Sequence, residues 1–76
     1  MNQLTDVMIY TKVKLSDNQF NEISHRVKAI EGVERFDRSP HQGNFILIAY
    51  RAGKVRALTI LNKFTRLGFN ASLVAM

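Results

Sequence analysis

Leu15-Ser16-Asp17-Asn18-Gln19-Phe20 is the stretch where one hydrophobic pattern stops and another begins. Ser16 is a preferred N-cap type, and Gln19, three residues on, supplies the second half of a capping box. Leu15 and Phe20 hold the N′ and N4 places of a hydrophobic staple. All of these positions agree on one helix start. The chain before it is therefore read for alternation, and the chain after it for helical spacing.

Before the turn, residues 7–13 alternate: Val7, Ile9, Thr11 and Val13 share one face, and Met8, Tyr10 and Lys12 the other. After it, Phe20, Ile23, Val27 and Ile30 form an apolar stripe, and Gly32 is expected to stop the helix at C′. Val33–Arg38 reads as a short strand, followed by Ser39-Pro40-His41-Gln42-Gly43 as a hairpin turn. Residues 44–50, Asn-Phe-Ile-Leu-Ile-Ala-Tyr, form the most apolar stretch and do not alternate. That suits a central strand covered on both faces, or one whose open face is meant for a partner. Arg51 to Lys54 connect it to a second helix striped by Ala57, Ile60, Leu61, Phe64 and Leu67 and stopped by Gly68. Residues 70–76 read as a last strand.

Crossover helices in this order join parallel strands and bring the first and third strands to the middle of an antiparallel sheet. The expectation is an α+β fold, a ferredoxin-like βαββαβ sandwich with both helices on one face. Seventy-six residues make a single domain over residues 1–76, near the lower size for an unstapled apolar core. There is no Cys, hence no thiolate site, thiol nucleophile or disulfide framework. The N-terminus does not read as a secretory signal, and no apolar run approaches the roughly 20 residues of a membrane span, so a cytoplasmic protein is expected.

Net charge is +5, unevenly placed: all six acids lie between Asp6 and Asp37, and from Arg38 onward there are only cations. Such asymmetry favours acidic partners.

Three pieces resemble the heavy-metal-associated domain family of small copper chaperones and the N-terminal modules of copper-transporting ATPases. They are Gly32-Val33 after the first helix, Ile60-Leu61 with Phe64, Leu67, Gly68 and Phe69 in the second, and Ala71-Ser72-Leu73-Val74 at the last strand. The resemblance implies a Cys-x-x-Cys gripping a soft ion such as Cu(I) at the first helix start. Counting back from Gly32 puts those two positions at Ser16 and Gln19, a hydroxyl and an amide. The chain is thus read as a relative that keeps the scaffold without the metal site, with a helix cap in its place.

Other chemistries are weaker. His25, His41, Met1, Met8 and Met76 lack paired-ligand spacing for an alternative metal site. No nucleophile triad or phosphate loop is present, and the arginine-bearing first loop of acylphosphatases, which share the fold, has no counterpart at Lys14 to Gln19. No catalysis, cofactor or small-molecule substrate is expected. A protein partner or a homodimer on the open sheet face leads, with Tyr10 as aromatic anchor and Lys12, Lys14, Arg51, Lys54 and Arg56 as basic contacts. The alternatives are a metal-ion binding or transport protein that uses non-cysteine ligands, and an RNA or single-stranded DNA binder, in which Tyr10 with one aromatic of the third strand would stack bases. Phe45 and Tyr50 are an odd number apart, so only one of them can share its face.

Overall fold

Alternation along Leu4–Thr11 buries Val7, Ile9 and Thr11 and makes this segment the first strand, β1. In the computed structural model, which describes residues 3–39 and 44–74, it is followed by α1 (Asp17–Lys28), β2 (Val33–Arg38), β3 (Phe45–Arg51), α2 (Ala57–Arg66) and β4 (Ala71–Val74). The four strands form one sheet in the order β2-β3-β1-β4, with antiparallel neighbours throughout. Each helix therefore joins two strands that run the same way. This is the ferredoxin-like βαββαβ arrangement.

The register puts Val7 opposite Ile48, Ile9 opposite Ile46 and Leu73, and Phe36 opposite Ile48. These residues line one sheet face, and Ile23 and Val27 of α1 with Ile60 and Phe64 of α2 close over all of them except the part-exposed Leu73 as a single core. Phe36 joins the layers, stacked on Phe64 at 6.1 Å and tilted against Phe20 at 5.2 Å. Leu15 and Val55, from the loops entering the helices, complete the packing.

Several boundaries differ from the sequence reading, among them the start of β1 at Leu4, three residues before Val7. β1 ends at Thr11, because the Asn44 side chain donates to the carbonyls of Thr11 (2.9 Å) and Lys12 (3.4 Å), ending the β1–β3 pairing. Val13 is consequently 72% exposed instead of inward-facing. α1 stops at Lys28 with Ala29 as C-cap, short of Ile30, so Gly32 is not its C′ residue. Gly68 does close α2: its N–H donates to Thr65 O and that of Phe69 to Phe64 O, the paired bonds of a Schellman motif. The last strand spans Ala71–Val74; Ala75 and Met76 lie outside the described residues, as do Pro40 to Gly43 of the expected turn.

Gly32 has a different task. Its φ is +102°, its carbonyl accepts from Arg51 N–H at 2.7 Å, and a Cβ built there would lie 2.9 Å from Lys54 Cβ. Gly68, at φ +91°, has open space around it. Gly32→Ala is expected to cost about 2–3 kcal/mol and Gly68→Ala about 1 kcal/mol in urea denaturation. Equal losses would show that backbone conformation alone, without the close approach of Lys54, accounts for Gly32.

Candidate functional site

The start of α1 is built by local chemistry. Ser16 adopts an extended conformation, its Oγ accepts from Gln19 N–H at 3.1 Å, and Gln19 Oε1 accepts from Ser16 N–H at 2.9 Å. The reciprocal capping box is therefore complete, and two of the helix's orphan donors are satisfied. Leu15 is buried and Phe20 packs against the core.

Arg38 at the end of β2 also belongs to this turn, although in the sequence it counts only as one more cation. Its guanidinium lies 4.3 Å over the Phe20 ring, with Nη2 3.5 Å from Ser16 O and Nη1 3.4 Å from Asp17 Oδ1. The Asp17 side chain is almost fully exposed, so that ion pair adds little. The ring and the carbonyl hold the arginine. Beside Gln19 opens a cleft of about 490 Å³, lined by Thr11, Val13, Leu15, Leu67 and Phe69 among others.

The second region is the sheet face turned away from the helices. Ile46, Ile48 and Tyr50 of β3 face the helices, which leaves Phe45, Leu47 and Ala49 on the other side. Their register partners on β1 are Tyr10, Met8 and Asp6. Tyr10 and Phe45 form a tilted ring pair at 5.3 Å, and Val74 lies beside Met8. Phe45 is thus the one aromatic of β3 that shares the face of Tyr10. Charge borders this strip: Asp6, Arg35 and Asp37 surround a hollow over Ala49, and Arg35 pairs with Asp37 at 3.6 Å.

The six residues expected to bind a partner fall into two groups. Lys12 and Lys14 follow Tyr10 at the end of β1, on the same side of the molecule as the α1 start. Arg51 lies opposite Leu4 in the register, which puts it, with Lys54 and Arg56 in the next connection, at the other end of the sheet. Arg51 is held by Glu34 at 2.9 Å, whereas Lys54 and Arg56 are exposed.

His25 stands exposed on α1, and Met8 on the open face. His41, Met1 and Met76 lie outside the described residues. Among the described residues no three His, Asp or Glu side chains converge as metal ligands. No helix among them is long and apolar enough to cross a membrane.

Neither a protein-family model nor a curated protein matches the sequence. Solved structures do match the fold. Oxidized MerP from Ralstonia metallidurans superposes with a TM-score of 0.82 at 11% identity, covering 96% of this chain and 100% of that one. The copper binding domain of HMA7, a P-type ATPase, gives 0.80 at 16% identity over 99% and 96% of the two chains. The CsoZ metallochaperone gives 0.76 at 15% identity over 96% and 100%. The chain has the fold of the heavy-metal-associated domains and contains no cysteine.

Proposed function

We propose that the chain is a non-enzymatic docking module, a heavy-metal-associated scaffold that has lost its thiolate site at Ser16 and Gln19 and binds a protein partner on its open sheet face. The observation that carries this reading is the strip formed by Tyr10, Phe45, Met8, Leu47 and Val74, an apolar surface bordered by charge on a very small domain. Such rimmed patches are the usual form of an interaction site. Tyr10 is its anchor, an amphipathic ring fixed by Phe45 at low entropic cost. Lys12 and Lys14 adjoin the anchor and select an acidic neighbour. Lys54 and Arg56, with Arg51, act at longer range by speeding encounter with the same acidic partner.

Affinity for the captured partner tests both parts. Tyr10→Ala is expected to weaken binding about tenfold or more, through faster dissociation. Joint charge reversal at Arg51, Lys54 and Arg56 is expected to slow association and flatten its salt dependence, with dissociation little changed. Unchanged affinity in a folded Tyr10→Ala variant would remove the open face from the reading.

The ring pair on the two central strands also favours single-stranded nucleic acid, because adjacent aromatics there stack successive bases. Anisotropy of a labelled oligonucleotide separates the two. Affinity falling linearly on a log–log salt plot, and lost in Tyr10→Ala, would replace the protein partner with a nucleic acid.

A further inference from the structure

The two edges of the sheet are built differently. β2 carries Glu34, Arg35, Asp37 and Arg38 and a register shift between Val33 and Arg35. Charges and bulges of this kind keep an edge strand from pairing with another chain. β4 has neither: it reads Ala71-Ser72-Leu73-Val74, and its register to β1 runs unbroken from Thr11–Ala71 to Met8–Val74.

The direction of its backbone groups follows from one bond. Lys12 N–H donates to Asn70 O at 2.9 Å. Bonded and non-bonded pairs alternate in an antiparallel ladder, so Ser72 and Val74 turn their N–H and C=O groups toward β1. Those of Ala71 and Leu73 point out of the sheet. Leu73 remains 38% exposed, and Leu58, on the helix packed against β4, is 58% exposed.

We propose that β4 pairs with β4 of a second copy, antiparallel about a two-fold axis through Ser72, so that the two four-stranded sheets become one. In this register Ala71 faces Leu73 of the second copy, and each N–H meets the carbonyl of the other residue. Ser72 faces Ser72 as the close, non-bonded pair on the axis, where a small side chain fits. The occupant is a second copy because the stretch is self-complementary and uncharged, and because the blunted β2 edge stops growth at two. Tyr10, opposite Ser72 in the register, then lies in one row with Tyr10 of the second copy across the joined sheet. A short edge buries less than a standard stable interface, so the dimer is weak and grows in with concentration. Because each copy carries +5, added salt strengthens the dimer. This pairing does not depend on what the open face binds.

The test uses the full chain, whose lack of cysteine makes a single introduced thiol unambiguous. Ser72→Cys puts two thiols on the axis at the spacing of a non-bonded pair, within the range of a disulfide. Under limiting oxidant it is expected to cross-link about tenfold faster than Thr65→Cys, which is exposed on α2. By sedimentation, the native chain is expected to shift toward twice its mass with rising concentration, and Ser72→Lys, with like charges face to face, to remain monomeric. A native chain that stays monomeric, a dimer indifferent to Ser72→Lys, or equal cross-linking of the two cysteine variants would each overturn the proposal.

Discussion

A chain in which Ser16 and Gln19 are both replaced by cysteine is expected to take up one equivalent of Cu(I), while the native chain takes up none. The two positions are already tied to each other by a reciprocal pair of hydrogen bonds, so side chains there are within reach of one ion. A thiol at a helix N-terminus has a lowered pKa, and the Arg38 guanidinium, 3.5 Å from Ser16 O, adds positive charge at the same turn. Thiolates then select the soft ion that a hydroxyl and an amide do not hold. Removing the capping box costs about 1 kcal/mol, which metal binding more than offsets. Competition with a chromophoric Cu(I) chelator, run on the native chain, both single variants and the double variant, reads the result. A folded double variant that removes no copper from the chelator would mean that Ser16 and Gln19 are not the places of a lost site. Uptake by the native chain would mean that another donor set has replaced it.

Phe64→Ala is expected to have the largest effect on stability. Phe64 is completely buried, stacks on Phe36, and accepts the Phe69 N–H that closes α2. Truncation leaves a cavity between sheet and helices and costs about 3–5 kcal/mol. A domain of this size has a total stability of only about 4–11 kcal/mol, so the variant is expected to lose about a third or more of it and to unfold at a markedly lower urea concentration. Phe64→Leu, which refills most of the space, is expected to lose about 1.5 kcal/mol. Urea midpoints of the two variants check this, and a loss below about 1 kcal/mol for Phe64→Ala would show that the core collapses around the site.

What the sequence revealed was what neighbours in the chain decide. The capping box at Ser16 and Gln19 needs only three residues of separation, and its geometry follows from residue type. Alternation in β1 and the stripes of both helices likewise gave the element order, and the order gave the strand sequence of the sheet. Open questions were those that depend on register. Whether Phe45 or Tyr50 joins Tyr10 is a matter of which face of an unalternating strand meets the helices, and only pairing with β1 answers it. Arg38 gave no local signal, because its ring and carbonyl contacts lie some twenty residues upstream. Gly32 looked like a helix stop because glycine commonly is one; the close approach of Lys54 that demands it comes from a remote connection. Arg51 looked equivalent to Lys54 until the β2–β3 pairing brought Glu34 against it.

The position of β1 has a consequence for how the chain is made. It is the first strand in sequence, yet it lies between β3 and the last strand, β4. During synthesis β1 waits for β3 to emerge before either of its edges is occupied, and its outer edge, with Ile9 still lacking Leu73 across from it, stays open until β4 follows. Pairing over such sequence distances closes large loops, which slows folding relative to a helical bundle of the same length. The outer edge of β1 is thus the last part of the sheet's interior to be paired, and its backbone groups stay open to other strands until β4 is in place.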